Sequence, residues 1–429
     1  MTPLNLLPTF RFGAMALKLR ETPVRSGGVQ TVKGCEYYMD DLSITRRQSI
    51  ILALGSMVWQ AAAKAAEEPS SWAQVDAEAQ KLITDRAAPG VSVSVARKGQ
   101  FIYSKGFGFA NLETGAAATP KSIYKIGSIT KQFTAASLML LAEEGKLSVD
   151  DPLARYFPDF PRGGEITLRQ MLTHTSGLGN YTDTAKPATF IQEARLDYNA
   201  EALYRLMLAT TPLYPYEPGA VWAYSNTAYV LLGLIVEKVA AEPYGAYFKR
   251  RLFDRAGLAD TAVDDAADVV RNRAAGYTPH PGEDGRFDNA SFISMTVPGG
   301  AGSMRSTSED LCRWHEALFG GMIVRPDSLK QMVTPQRLKD GSLPNEAQPS
   351  GGKAEPEPVE YGFGLEAVTI ERHRALGHGG EINGFSSVLY TFPAEGISIA
   401  ILFNYDRWTK LGGPKHLRTT VAKAALADT

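Results

Sequence analysis

The spacing of apolar positions changes period several times along the chain, and each change predicts an element. Trp72, Val75, Ala79, Leu82 and Ile83 recur at helical spacing behind Ser71, a good capping residue, so a helix is expected over about 72–86. Val91-Ser92-Val93-Ser94-Val95 alternates strictly, which predicts a half-buried strand. Arg97-Lys98-Gly99-Gln100 reads as a turn, and Phe101 to Gly106 as the returning strand of a hairpin. Ser128 to Glu144 carries an apolar face of Phe133, Ala136, Leu138, Leu140 and Leu141, and Gly145 follows as a helix stop.

From about Val149 to Arg271 the pattern is mostly helical, with joints rich in Pro and Gly. It includes an apolar helix from about Tyr229 to Ala240. Residues 341–360, rich in Pro, Gly, Ser and Glu, predict a solvated loop. Strand patterns then return at Ala375 to His378, Phe385 to Phe392 and Ile397 to Phe403. The last is almost continuously apolar, as in a strand buried on both faces. Thr419 to Leu426 predicts a terminal helix. Strands and helices at both ends thus bracket a helical middle. The segregation predicts an α+β fold with a mostly helical region inserted at about 145–290, rather than a βαβ repeat.

Composition narrows the function classes. Of 429 residues, 44% are hydrophobic and 21% charged, ordinary values for a globular chain. The net charge of −1 and the lack of a basic stripe argue against a nucleic-acid partner. Two cysteines, Cys35 and Cys312, exclude a disulfide-rich scaffold and a cysteine zinc cluster. The six histidines form no H-E-x-x-H pair, so neither a metal nor any other cofactor is expected.

Residues 1–66 predict a presequence. Arg46-Arg47 is followed by the mostly apolar run Ser49 to Ala63, and small residues crowd Ala61, Ala62, Ala63, Ala65 and Ala66. That order is the layout of a signal peptide. Thr45-Arg46-Arg47-Gln48 partly matches a twin-arginine signal. Residues before Met39 fit no signal, so Met39 is expected to be the true start and 67–429 the mature domain, exported to the periplasm or secreted. The apolar run is shorter than the ~20 residues a membrane helix needs, so no stable span is expected after processing. No feature of the sequence specifies an oligomeric state.

Ser128 and Lys131 stand three apart at the start of a predicted helix, on one face and within side-chain reach. A lysine whose pKa is lowered by burial can accept a proton. A serine at a helix start has backbone N–H groups beside it that lack partners, and these suit a developing oxyanion. By itself the pair also fits a plain helix cap. Tyr224-Ser225-Asn226 follows about a hundred residues later, just before the helix starting near Tyr229. A tyrosine can shuttle a proton if nearby lysine charge lowers its pKa, and an asparagine can hold an amide and orient the lysine. His378-Gly379-Gly380 lies near a strand end, where two glycines would let a substrate lie on the backbone. The N–H of Glu381 is then the second oxyanion donor expected.

Ser128-x-x-Lys131, Tyr224-x-Asn226 and His378-Gly379-Gly380 occur in the order and rough spacing of the class C β-lactamase superfamily, which this chain resembles. That group includes D,D-peptidases, D-aminopeptidases and esterases. Leu172-Thr173-His174-Thr175-Ser176-Gly177-Leu178, the run Gly145 to Leu153 and Pro298-Gly299-Gly300-Ala301-Gly302-Ser303 are similar too. The resemblance covers about 72–427. It implies an antiparallel five-stranded sheet flanked by terminal helices, with the site between the sheet and the helical region. It also implies that Ser128 attacks, that Lys131 and Tyr224 share the proton transfers, and that Asn226 binds substrate. His174 is expected to be structural.

One position departs from the pattern. The β-lactamases of this group carry Lys-Thr-Gly where this chain has His378-Gly379-Gly380, and that lysine helps engage the antibiotic's carboxylate. A histidine is largely neutral at pH 7. The expectation is therefore an exported serine hydrolase acting through an acyl-enzyme on a small-molecule or peptide substrate, a D-amino-acid peptide or small ester in preference to a β-lactam. The competing class is a non-catalytic binder or sensor of cell-wall fragments on the same fold, and the intact Ser/Lys/Tyr set argues against it. No G-x-S-x-G elbow is present, which excludes an α/β-hydrolase.

Overall fold

The structure, a computed structural model, describes residues 71–183, 191–345, 359–406 and 414–427. The expected presequence, Cys35 and most of the 341–360 loop lie outside the described residues. The described residues all fall within one compact unit.

Its centre is an antiparallel sheet. The strands are β1 (Gly90–Arg97), β2 (Gln100–Asn111), β3 (Ala116–Ala117), β4 (Glu366–Ile370), β5 (His373–Ile382), β6 (Phe385–Phe392) and β7 (Ile397–Phe403). They lie in the order β3-β2-β1-β7-β6-β5-β4. The sheet therefore has seven strands, not the five expected. The five central ones are β2, β1, β7, β6 and β5. The two extra strands, β3 and β4, are short edge strands, and β3 pairs through an irregular register at Phe109/Asn111. The two residues of β3 are too few to display a period-two pattern, and Glu366-Ala367-Val368-Thr369-Ile370 of β4 does not alternate. First and last strands meet at the middle, where Val93 pairs with Ile401. The sheet thus closes only when both chain ends are in place.

Alternation along the strands sorts side chains between two cores. Val91, Val93, Val95, Ile397, Ile399, Ile401 and Phe403 face helix α1 (Ser71–Thr84), which adds Val75, Ala79 and Leu82 to the same core. On the opposite face Ala96, Ala400 and Leu402 meet the helical region. That region contains α2 (Thr130–Glu143), α3 (Asn226–Ala240) and α4 (Ser308–Phe319). The chain's last helix, α5 (Pro414–Leu426), packs beside α1 with Leu417, Val421 and Ala425.

β1 corrects the half-buried reading of Val91–Val95, because it is buried on both faces from Gly90 to Ala96. Ser92 Oγ donates to Thr119 O at 2.7 Å, and Ser94 Oγ lies 2.8 Å from Ser308 Oγ at the start of α4. Small hydroxyls satisfied in this way can be buried at little cost. After α3 the chain remains helical to Ala256 and then turns to short strands at Ala262–Val263, Tyr277–Pro279 and Phe287–Asn289. Among the described residues no helix is long and apolar enough to cross a membrane.

Candidate active site

Ser128 sits in a 3-10 turn, Gly127–Ile129, that runs directly into α2. Its hydroxyl caps neither helix, which removes the plain-cap reading. Instead Oγ lies 3.0 Å from Lys131 Nζ and accepts from the Tyr224 hydroxyl at 2.8 Å. Helix spacing brings Lys131 under Ser128. The fold alone brings Tyr224, from a segment 96 residues away in sequence.

Lys131 is fully buried. Its amine lies 2.8 Å from Asn226 Oδ1 and 2.9 Å from Ala301 O, as well as facing Ser128. The rings of Tyr224 and Tyr229 wall it at 4.8 and 5.5 Å. Burial pushes its pKa well below the ordinary lysine value, so the neutral amine is favoured. A neutral amine has two N–H bonds and one lone pair. Asn226 Oδ1 and Ala301 O are pure acceptors and take the two N–H bonds. The lone pair is left facing Ser128, whose O–H can donate to it. This is the geometry of a general base poised on a nucleophile.

Ala301 O is held in place by the turn Gly299–Gly302, whose Gly300 O accepts from Thr134 Oγ1 of α2 at 2.7 Å. Asn226 is the first residue of α3, with Ser225 as its N-cap, so the helix begins three residues earlier than expected. The Asn226 N–H donates to Asn180 Oδ1 at 3.1 Å, and its Nδ2 points to Thr182 Oγ1 at 3.5 Å.

The expectation that lysine charge lowers the Tyr224 pKa is not met. Burial raises it above the ordinary phenol value, and the neutral Lys131 supplies no charge to oppose that. Tyr224 is therefore a protonated donor to Ser128.

β5 closes the other side. His378-Gly379-Gly380 lies inside this strand, and alternation puts His378 and Gly380 on the face toward Ser128. A Cβ at Gly380 would come within 2.1 Å of Ile126 O, whereas one at Gly379 would meet nothing closer than 3.8 Å. Gly380 thus clears space for the nucleophile's own turn, and the expected role of clearing room for substrate does not apply to it. The strand is fastened there by Ser387 Oγ of β6, which donates to Ile126 O at 2.9 Å. One residue on, the Glu381 peptide abuts Gly127: a Cβ on Gly127 would lie 2.8–2.9 Å from Glu381 O, C and N. The residue before Ser128 and the fourth residue of the His-Gly-Gly-Glu run are therefore neighbours across the cleft wall.

His378 is buried, and both ring nitrogens are engaged. Nδ1 contacts the Gly379 carbonyl, which only accepts, so Nδ1 carries the proton. Nε2 then accepts from the Tyr361 hydroxyl at 2.9 Å. Burial lowers the His378 pKa, partly opposed by Glu366, and the neutral ring is favoured. The ring offers the cleft neither a positive charge nor a spare N–H.

Tyr361, Ala301 and Asn180 carry no role in the sequence reading. Ala301 lies in the glycine-rich run at 298–303, but its contribution is a backbone carbonyl, which no side-chain identity advertises. Tyr361 opens Tyr361-Gly362-Phe363-Gly364 at the end of the polar loop, where the glycine spacing is the only local signal.

A family model described as Beta-lactamase matches residues 75–422. Penicillin-binding protein 4* of Bacillus subtilis (strain 168) is 27% identical over 340 residues, 74% of this chain and 69% of that protein. The solved D-stereospecific amidohydrolase from Streptomyces sp. is 28% identical with a TM-score of 0.67, covering 84% of this chain and 100% of that one. The octameric penicillin-binding protein homologue from Pyrococcus abyssi is 26% identical with a TM-score of 0.68, covering 83% of this chain and 77% of that one.

Proposed function

The chain belongs to the Beta-lactamase family and is a serine hydrolase, and from that premise we propose that it is an exported hydrolase that acylates Ser128 with a D-amino-acid amide, a D-peptide or a small ester. In this reading Lys131 takes the Ser128 proton as Oγ attacks the carbonyl. The backbone N–H groups of Ser128 and Glu381 hold the oxyanion. Tyr224, kept protonated by burial, passes its proton to the leaving group and is reprotonated from Lys131. Asn226 orients the lysine and presents its amide to the substrate. Water then repeats the sequence to release the acid.

The carrying observation for substrate choice is His378. With both nitrogens engaged and the ring neutral, it gives a carboxylate no partner where β-lactamases of the group place a lysine. A buried carboxylate without a partner is costly, so donors lacking one next to the scissile bond are favoured. Similarity to a D-stereospecific amidohydrolase supports an amide as one such donor.

Relative kcat/KM for D-alanine p-nitroanilide, short-chain p-nitrophenyl esters and nitrocefin tests this reading. Amide or ester should exceed nitrocefin by at least about tenfold, a ratio within reach of one pocket contact. A preference for nitrocefin would overturn it. Export is tested by the N-terminus of protein recovered outside the cytoplasm, expected near Glu67.

A further inference from the structure

We propose that His174 is a positioning residue for Tyr224, holding the phenol on Ser128 by gripping the backbone on both sides of it. The inference rests on the roles given above to Ser128 and Tyr224. The short helix Leu168–Leu172 is opened by a reciprocal cap between Thr167 and Gln170 and ends at Thr173. The chain then reverses at His174, which adopts a left-handed φ of 59°. In that conformation its carbonyl accepts the Ala223 N–H at 2.9 Å, and its ring Nδ1 accepts the Ser225 N–H at 3.2 Å. Residues 223 and 225 are the two neighbours of Tyr224.

Any residue could supply the carbonyl. The second bond needs an acceptor at the place of Nδ1. Accepting there puts the neutral ring's proton on Nε2. A doubly protonated ring would turn an N–H against the Ser225 N–H. Burial holds the His174 pKa well below the ordinary value and so keeps the acceptor. The ring cannot swing away, because Tyr224, Tyr361 and Tyr229 surround it at centroid distances of 4.4, 4.8 and 5.1 Å. Nε2 has no hydrogen-bond partner among the described residues. The grip extends further through Ser225, whose Oγ donates to Gly179 O at 3.0 Å and caps α3 at Ala228 N.

Asparagine is the natural rescue. Its Oδ1 can occupy the place of Nδ1, and among non-glycine residues it tolerates left-handed φ well. Leucine removes the acceptor, and glutamine moves its acceptor toward Nε2. On a p-nitrophenyl ester, His174→Leu should lower kcat by about 10²-fold with KM nearly unchanged, the scale of a misplaced reacting group. His174→Asn should keep kcat within about fivefold of the parent, and His174→Gln should resemble leucine. In a Tyr224→Phe background, with no phenol to place, His174→Leu should cost nothing further in kcat. Melting temperatures identify folded variants, and His174→Gln replaces His174→Leu in the cycle if leucine does not fold. Equal losses in both backgrounds, or an asparagine variant as impaired as the leucine one, would overturn the proposal. Full turnover by Ser128→Ala would instead overturn the underlying site assignment, so the two failures are told apart.

Discussion

The two faces of the central sheet are packed by different chemistry. Toward α1 and α5 the core is mostly aliphatic: Val91, Val93, Val95, Ile397, Ile399, Ile401, Leu417 and Val421. Toward the helical region the apolar core is larger, yet Lys131, Gln132, Thr134, His174 and His315 are buried beside it. His315 shows how such groups are kept. Its nitrogens lie 2.8 Å from Thr391 Oγ1 and 2.9 Å from Gln132 Oε1, and burial pushes its pKa down to about 3. Buried polar groups cost stability unless paired. The chain accepts that cost on one face, where the same desolvation that penalises Lys131 makes it a base.

Substitutions on the two faces should therefore separate. Ser128→Ala removes the nucleophile and should lower ester turnover by at least about 10⁴-fold while leaving the melting temperature close to the parent's. Turnover within tenfold of the parent would remove the site from this face altogether.

Lys131→Met should lower kcat by about 10³-fold, within the usual range for loss of a general base. Its effect on stability depends on pH. The folded pKa of Lys131 lies well below its unfolded value. Between those two pKa values the unfolded chain binds more protons, so parent stability falls as pH falls and rises as pH rises. The methionine variant lacks this dependence. Urea midpoints should show the parent gaining on the variant from pH 7 to about 9.5, still below the unfolded lysine pKa. A difference flat with pH would mean that Lys131 is charged in the fold.

Leu417→Ala, on the aliphatic face, should cost about 2–5 kcal/mol in urea unfolding while kcat stays within twofold. A large kcat loss in the folded variant would show that the two cores are coupled. The smallest effect expected is at His378. His378→Lys restores a cation facing the cleft and should shift the nitrocefin-to-ester ratio of kcat/KM by about tenfold toward nitrocefin. No shift would mean that substrate choice is set elsewhere around the cleft.

Much of this arrangement is legible in the sequence because it is local. Period-two spacing located β1 and β6, a nearly continuous apolar run located β7, helical spacing located α2, and the three-residue offset placed Lys131 under Ser128. Boundaries shifted: α3 starts at Asn226 behind its Ser225 cap, and α5 starts at Pro414 rather than Thr419. The edge strands β3 and β4 were invisible because two residues carry no period and Glu366 to Ile370 does not alternate.

What the sequence determined alone is thus which residues can do chemistry and which faces must be buried, since both follow from residue type and spacing. What only the tertiary structure decided is the state of those residues. The neutral Lys131, the protonated Tyr224, the engaged His378 and the acceptor nitrogen of His174 all depend on desolvation and on partners from distant segments, such as Ala301, Tyr361 and Ser225. Proton positions answer to the sum of everything packed around them, and no one-dimensional pattern contains that sum.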